Sequence, residues 1–335
     1  MSTDTIEMKK ATGQQAINEA LHEAMEADSK VLVLGEDVGD KEGGGVTGVC
    51  KGLSTKFGDL RVRSTPIAEQ SIMGAAIGAA MAGYKPVAEI MLMNFTTVAM
   101  DMIVNHAAKL RFMSGGQSQV PLVIRTLTGA GNQTAGQHAD FYEAWFCHTA
   151  GIKVIAPTFP GDFKGLMLSA IQDPDPVLSI ETGMTLFAPG EMPVNQGPIP
   201  LGKANILQPG TDLTIVSYSA QMFRVLQAMP AIAEAGISAE IIDLRTISPW
   251  DKETVLASAE KTGRLMVVHE AGRNFGPGAE IASTAMEELW RELKAPVTRL
   301  GAPYCSVPFA KALENAYIVQ PDDIAAAAKA LAAQG

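Results

Sequence analysis

Short apolar runs alternate with longer helical stretches along most of the chain. The runs predicted as strands in the first half are 31–34, 87–91, 122–126, 152–156 and 177–181. The stretches predicted as helices there are 12–27, 67–83, 96–113 and 162–172. Continuous apolar strands separated by helices are typical of parallel sheets that are covered on both faces. The pattern therefore predicts an α/β protein.

This alternation pauses once and then restarts. Residues 188–204 are rich in proline and glycine and show no apolar periodicity, which favours an extended connection. We therefore predict a first domain over residues 1–187, a linker over 188–204 and a smaller α/β domain over 205–335. Both domains are expected to hold mostly parallel sheets that are covered by helices.

Composition narrows the class of protein. The 335 residues include 26 Lys plus Arg and 36 Asp plus Glu, which gives a formal net charge of −10, and 47% of the residues are hydrophobic. Such a chain is too apolar to be disordered. It also has no dense basic run for binding a polyphosphate. Nucleic acid is therefore not expected as a partner.

Cysteine usage and the N-terminus indicate the compartment. The three cysteines, Cys50, Cys147 and Cys305, form no CxxC pair, so neither a disulfide framework nor a zinc ribbon is indicated. The N-terminal residues do not resemble a signal sequence, and no window approaches the roughly 18 to 20 apolar residues that cross a bilayer. We expect a cytoplasmic protein with no membrane segment.

Several common catalytic motifs are absent from the sequence. No GxGxxG follows the first predicted strand, and neither GxxxxGK[ST], GxSxG nor HExxH occurs. The chain therefore has no evident phosphate cradle of its own, and no serine-hydrolase or zinc-protease motif.

Two residues are candidates for proton chemistry. Glu69 follows Pro66 at the start of an apolar helix, where it is either an ordinary first-turn acid or a poorly solvated carboxylate that exchanges a proton with a bound heterocycle. His138 lies on a loop of small and polar residues after the strand 122–126. An imidazole there is either a general acid or base, or a side chain with local hydrogen bonds only.

The segment SAIQDPDPV, residues 169–177, ends a predicted helix with two Asp-Pro pairs. Helix-terminal carbonyls beside a carboxylate can bind a hard cation. Asp-Pro is also common in plain turns, and from the residues alone the turn is the favoured interpretation.

Taken together, the motifs resemble the β subunit of the thiamine-diphosphate-dependent first component of 2-oxo acid dehydrogenase complexes. This group includes the pyruvate, branched-chain 2-oxo acid and acetoin dehydrogenases, and its fold is transketolase-like. The resemblance covers nearly the whole chain. It is carried by VLGEDVG (33–39), TPIAEQSIMGAAIGAAMAGYKPVAEIMLMNF (65–95), IVNHAAKLRFMSGGQ (103–117), VPLVIRT (120–126), DLRTISPWD (243–251), VVHEAGRNFGPGAEI (267–281) and VPFAKALE (307–314).

The resemblance implies roles for three residues. Glu69 is expected to hydrogen-bond the pyrimidine ring nitrogen of thiamine diphosphate, and Phe95 to pack against that ring. His138 is expected to assist the acyl or hydroxyalkyl intermediate on the cofactor and its transfer to a lipoyl group.

The resemblance also implies metals and partners. It assigns a structural potassium site, ligated mostly by carbonyl oxygens, to Leu122, Ala170, Ile171, Asp173 and Asp175, which reverses the preference for a plain turn. Magnesium and the cofactor diphosphate are expected on an α subunit. That subunit would complete an α2β2 heterotetramer, which would dock on a lipoyl-bearing acyltransferase core.

One departure from the family pattern affects the substrate prediction. Family members often have His-Ser-Gln where this chain has His138, Ala139 and Asp140, so a hydroxyl is lost and an acid is gained beside the histidine. Acetoin and pyruvate rank above branched-chain 2-oxo acids. A carboligase or transketolase-like enzyme with another acceptor is the alternative activity, and a scaffold without turnover is the non-enzymatic alternative.

Overall fold

The computed structural model describes residues 6–334, which contain fourteen strands and twelve α-helices. The strands are β1 Met8–Thr12, β2 Val31–Glu36, β3 Val62–Thr65, β4 Lys85–Leu92, β5 Val123–Thr128, β6 Lys153–Ile155, β7 Val177–Thr182, β8 Pro189–Pro193, β9 Asn205–Gln208, β10 Leu213–Ser217, β11 Ala239–Asp243, β12 Thr246–Ser248, β13 Leu265–Gly272 and β14 Thr298–Ala302. The helices are α1 Gly13–Ala27, α2 Leu53–Phe57, α3 Glu69–Met81, α4 Leu110–Met113, α5 Glu143–Cys147, α6 Pro160–Gln172, α7 Gly183–Phe187, α8 Ser219–Glu234, α9 Lys252–Thr262, α10 Pro277–Leu289, α11 Lys311–Tyr317 and α12 Pro321–Ala332.

The chain forms two compact units. The first comprises the residues up to Thr128 together with His148–Leu201, and the second comprises Gly129–Cys147 together with the residues from Gly202 onward. The segment Gly129–Cys147, which carries His138, therefore belongs to the second unit, although its sequence position lies within the first half of the chain.

The first unit is built on a parallel sheet. Six of its strands run in the order β6-β7-β5-β4-β2-β3, and each neighbouring pair is parallel. Strand β7, VLSIET, is buried along its whole length, as expected for a strand that is covered on both faces. A separate two-stranded antiparallel sheet pairs β1 with β8, so the proline-rich stretch predicted as a linker includes a strand.

Helices α1 and α6 pack together over this sheet. Helix α1 begins with a capping box, in which the Thr12 hydroxyl accepts from the Gln15 amide and the Gln15 side chain accepts from the Thr12 amide. At Gly13 an added Cβ would lie 2.7 Å from the Phe163 ring, so the close approach of the two helices requires glycine.

The second unit contains a five-stranded sheet in the order β14-β13-β10-β11-β9. Strands β14, β13, β10 and β11 are parallel to one another, whereas β9 is antiparallel to β11. Strands β10 and β11 are completely buried. Helix α12 packs on α8, and α10 packs beside β13.

One predicted helix is divided in the structure. The stretch 96–113 was predicted as a single helix, but it contains the end of a 3₁₀ helix (Met93–Thr97), a π-helix (Met102–Ala107) and α4. Apolar periodicity does not separate these helix types, because all of them place an apolar side chain on the core about once per turn. Within residues 6–334, no helix is both long and apolar enough to cross a membrane.

Candidate active site

Glu69 begins helix α3 and is buried, with 9% of its surface exposed. A carboxylate in the first turn of a helix is stabilised by the helix dipole. Among residues 6–334 the Glu69 carboxylate accepts no hydrogen bond, so its oxygens are available to a partner from outside the chain. Both interpretations of Glu69, the ordinary first-turn acid and the carboxylate that exchanges a proton with a bound heterocycle, are compatible with this position.

Glu36 is a second buried carboxylate near Glu69. It ends strand β2, and burial raises its pKa above the usual range. The negative charges of Glu69, Asp37 and Glu89 raise it further. The carboxyl edge of this parallel sheet therefore presents more than one acid, and such edges are where α/β proteins bind ligands.

Phe95 lies in the 3₁₀ helix Met93–Thr97, directly after strand β4. It is half-buried. Strands β4, β2 and β3 are neighbours, so Phe95, Glu36 and Glu69 all follow or end adjacent parallel strands at the same edge of the sheet. The structure thus brings the predicted acid and the predicted aromatic side chain to one edge of the first unit.

Behind this edge, Arg125 joins two buried glutamates on neighbouring strands. Its guanidinium donates to both carboxylate oxygens of Glu181 at 2.8 Å, and to Glu89 at 2.5 Å. Burial alone would lower the pKa of Arg125, but the two carboxylates raise it overall. The buried thiol of Cys50 also contacts Glu89, and burial raises its pKa, which keeps the sulfur protonated.

His138 lies in the second unit and is exposed. Its backbone amide donates to the Ala135 carbonyl at 3.1 Å, which closes a tight turn. Ala135 has a φ of +63° and Gln133 a φ of +56°, so the backbone before the histidine is in the left-handed region at two residues that are not glycine. The structure therefore presents His138 at the surface of a strained loop.

The two departures beside His138 have separate environments. Ala139 is buried in a small apolar cluster with Val307, Tyr317 and Ile318. A serine hydroxyl at this position would be placed among apolar side chains, so the cluster explains why alanine suits this chain. Asp140 accepts a hydrogen bond from the Tyr142 hydroxyl at 3.0 Å.

The residues predicted for potassium lie together in the first unit. The Leu122 carbonyl accepts from the Val177 amide at 2.9 Å, and the Ala170 carbonyl, one residue before Ile171, accepts from the Asp173 amide at 3.2 Å. A carbonyl oxygen can accept a second partner, so these oxygens remain suitable cation ligands.

The carboxylates in this group are already paired with cations. Lys153 lies 2.7 Å from the Asp173 carboxylate and 3.3 Å from that of Asp175, which also pairs with Arg111 at 2.8 Å. The side-chain oxygens therefore fit a potassium ion poorly. Within residues 6–334, no three or more His, Cys, Asp or Glu side chains are arranged to hold a metal ion.

Comparison with known proteins identifies the family. The sequence profile of the transketolase pyrimidine binding domain matches residues 9–186, and that of the transketolase C-terminal domain matches residues 202–324. The β subunit of acetoin:2,6-dichlorophenolindophenol oxidoreductase from Cupriavidus necator is 43% identical over 96% of this chain and 97% of that protein. The pyruvate dehydrogenase E1 component β subunit from Acholeplasma laidlawii is 42% identical over 95% of this chain and 97% of that protein.

The chain belongs to the family of acetoin and pyruvate dehydrogenase β subunits. This confirms the predicted family, the predicted enzyme class of oxidoreductase and the predicted α/β fold with two transketolase-type domains. Membership of the family implies the use of thiamine diphosphate. Among solved structures, the inactive β4 tetramer of a split-gene transketolase matches with a TM-score of 0.79 at 22% identity, covering 96% of this chain and 98% of that one, which supports the fold.

Sequence reasoning missed the buried charges of this family member. Glu89, Arg125 and Glu181 are charged residues within buried parts of strands β4, β5 and β7, and Glu89 is paired with Arg125 in the sheet register. Single charges inside apolar strands are a usable signal, because a buried charge needs a partner. Glu270 in LMVVHEAG could have been found in the same way.

Proposed function

We propose that this chain is the β subunit of a heteromeric thiamine-diphosphate-dependent dehydrogenase, with Glu69 as the residue that binds the cofactor's pyrimidine ring. The observation that carries the proposal is that Glu69 is a buried residue whose carboxylate has no hydrogen-bond partner among residues 6–334. A carboxylate forms a strong, charge-assisted hydrogen bond with a ring N–H. The side chains at this edge of the sheet therefore fit the pyrimidine.

Thiamine diphosphate supplies a carbon nucleophile and an electron sink when it is bound. The protein's own contribution is orientation and the movement of protons. Glu69 would hold a proton at the ring nitrogen, and Phe95 would offer an aromatic face to the ring. His138, exposed on its loop, would exchange a proton with the reacting group near neutral pH.

The diphosphate and magnesium are proposed to be held by a separate α subunit, in an α2β2 assembly. The sequence of this chain has no phosphate-binding motif, which supports that division. The acceptor is proposed to be a lipoyl group on an acyltransferase core. Any potassium is proposed to bind through carbonyl oxygens at Leu122, Ala170 and Ile171, and a higher melting temperature in KCl than in choline chloride at equal ionic strength is the expected sign.

The proposed substrate is acetoin or pyruvate. The relatives with 41–43% identity over most of the chain carry both names, which supports either substrate. A carboligase activity is the second candidate, because Ala139 and Asp140 replace residues that are common in the family. Acylation of a free lipoyl domain by the assembled complex separates the two, since the dehydrogenase activity alone requires it.

Cofactor binding and turnover test the role of Glu69. The chain is co-expressed with its α partner, and thiamine diphosphate with magnesium is titrated into the purified complex. We expect Glu69→Gln to lower turnover of the preferred substrate by about 100-fold or more, the usual contribution of a proton-transferring side chain. The melting temperature should stay within about 2 °C, because the carboxylate has no intramolecular partner to lose.

Glu253→Gln is the matched control, since the Glu253 side chain is 90% exposed on helix α9. It should leave both turnover and cofactor binding unchanged. Full turnover in the Glu69→Gln complex would contradict the proposed mechanism. Equal cofactor affinity of the isolated chain and the complex would contradict the division between subunits.

A further inference from the structure

The loop that carries His138 has an unfavourable backbone conformation at its start. Gly131 has a φ of +118°, Gln133 a φ of +56° and Ala135 a φ of +63°. Each left-handed residue other than glycine costs about 1 kcal/mol or more, so such a loop keeps one shape only where its surroundings hold it. The start of this loop is held by charged side chains of its own unit.

Glu314 and Lys311, both on helix α11, form hydrogen bonds with the loop at Gly131. One Glu314 oxygen accepts from the Gly131 amide at 2.7 Å and from the Gln133 amide at 3.0 Å. The Lys311 ammonium donates to the Gly131 carbonyl at 2.9 Å and lies 3.4 Å from the other Glu314 oxygen. The amide and the carbonyl of Gly131 are therefore both bonded to this ion pair.

Glu270 holds the preceding residue. Its carboxylate accepts from the Ala130 amide at 2.6 Å. Burial raises the pKa of Glu270 to about 7, although the Ala130 amide and the positive charge of Arg224 partly offset that effect. An ionised Glu270 thus costs free energy in this environment, and its carboxylate is hydrogen-bonded to the loop.

Glu314 is completely buried, and its carboxylate accepts from two loop amides and from Lys311. Burial alone would raise its pKa, but the Gly131 and Gln133 amides and Lys311 lower it overall. Replacing Glu314 alone would leave the Gly131 and Gln133 amides and the Lys311 ammonium without this acceptor, so its loss should loosen the loop.

We propose that Glu314, Lys311 and Glu270 are positioning residues for His138. They fix the backbone at residues 130–133. This in turn fixes the direction in which the loop presents the imidazole of His138, five residues after Gln133. The inference rests on the proposed role of His138 in turnover. A shift of about 1 Å at a reacting group is enough to lower a rate constant by about 100-fold, so residues remote from the imidazole can affect turnover. We call the hydrogen bonds of Glu314, Lys311 and Glu270 to residues 130–133 the clamp.

Paired variants of Glu314 in the complex with the α partner test this proposal. Glu314→Ala removes the acceptor, whereas Glu314→Gln keeps an oxygen that can accept from the Gly131 amide. Amide hydrogen exchange of residues 129–138 reports the clamp directly. Dye reduction with acetoin or pyruvate, whichever the complex turns over, gives kcat and KM.

For Glu314→Ala we expect exchange in residues 129–138 to be faster by about tenfold or more, because two amides lose their acceptor. We expect kcat to fall by about tenfold or more with KM within about twofold, because binding does not require the imidazole to be correctly placed. Glu314→Gln should restore most of both. Glu253→Ala, on an exposed surface, is the control for loss of a carboxylate.

Several outcomes would overturn the proposal. Unchanged exchange in Glu314→Ala rules out the clamp, and faster exchange with unchanged kcat rules out its catalytic role. If Glu314→Ala does not fold, the pair Glu270→Ala and Glu270→Gln repeats both measurements. Full turnover in His138→Ala would instead refute the proposed function at that residue, while the exchange data would still decide whether the clamp exists.

Discussion

In the first unit the buried carboxylates of Glu89 and Glu181 share the guanidinium of Arg125, whereas in the second unit the buried Glu270 and Glu314 accept hydrogen bonds from backbone amides. The first arrangement joins three strands of one sheet through side chains. The second joins side chains to a loop. The same residue type therefore locks a sheet in one place and shapes a loop in the other.

Burial and hydrogen-bond partners together set the pKa of each acid. In the first unit, burial raises the pKa of Glu181 overall, although Arg125 lowers it in part. In the second unit, the Gly131 and Gln133 amides and Lys311 lower the pKa of Glu314 overall. Burial raises the pKa of Glu270 and that of Glu143 to about 7, within the range in which cells operate.

Replacing Arg125 should change the free energy of unfolding more than any other substitution considered for these buried acids. Arg125→Leu leaves two carboxylates buried without a cation, and the free energy of unfolding should fall by about 3–5 kcal/mol. Urea denaturation of the purified chain measures it. Arg291→Leu, in which the charge lost lies next to Trp290, is the control and should change stability by less than about 0.5 kcal/mol. A loss below about 1 kcal/mol for Arg125→Leu would show that the arginine is not needed to compensate the acids.

The pH response of Glu143 gives the next largest effect. Glu143 is completely buried, and one of its oxygens accepts from the Tyr218 hydroxyl at 2.7 Å. Folding raises the pKa of Glu143 from 4.5 to about 7, mainly by burial, so ionising this acid opposes folding. Its cost is absent below about pH 4.5 and complete above about pH 7.

Glu143→Gln removes that cost. The variant should gain about 3 kcal/mol of unfolding free energy relative to the wild type at pH 8, and the gain should vanish near pH 4.5. Urea midpoints across this pH range measure it, with Glu253→Gln as the exposed control. Parallel curves for wild type and Glu143→Gln would show that Glu143 is not the titrating group.

Ala139→Ser is the smallest and sharpest change, because it restores the serine that is common in the family. The hydroxyl would enter the apolar cluster of Val307, Tyr317 and Ile318, and stability should fall by about 1 kcal/mol. Ala150→Ser, at an exposed turn, should cost nothing measurable. A stabilised Ala139→Ser variant would mean that the loop supplies a partner for the hydroxyl.

The fold was largely predictable from the sequence, and the site only in part. Apolar strands and amphipathic helices leave a periodic signal, so the α/β class and the order of the main elements followed from the pattern. Glu69 could be singled out because it opens an apolar helix. The short strands β3, β9 and β14 could not be predicted, because their mostly exposed or half-buried positions give no continuous apolar run.

The supports of His138 lay outside the range of local reasoning. Glu270 and Glu314 are more than 130 residues from the histidine in the chain, and their bonds to Ala130 and Gly131 span 140 and 183 residues. Only the tertiary structure brings such residues together, and no spacing in a single sequence encodes that contact. Sequence reasoning could also not foresee that residues 129–147 associate with the second unit.

That association has a practical meaning for protein engineering. A chimera that exchanges only the C-terminal half between two relatives would separate the segment Gly129–Cys147 from the helix and strand that hold it. The second unit, which should be exchanged as a whole, is made of two separate stretches of the chain. Its exchange therefore needs one crossover on each side of Gly129–Cys147 and a third near Gly202. Recombination along those borders would move the histidine together with its supports.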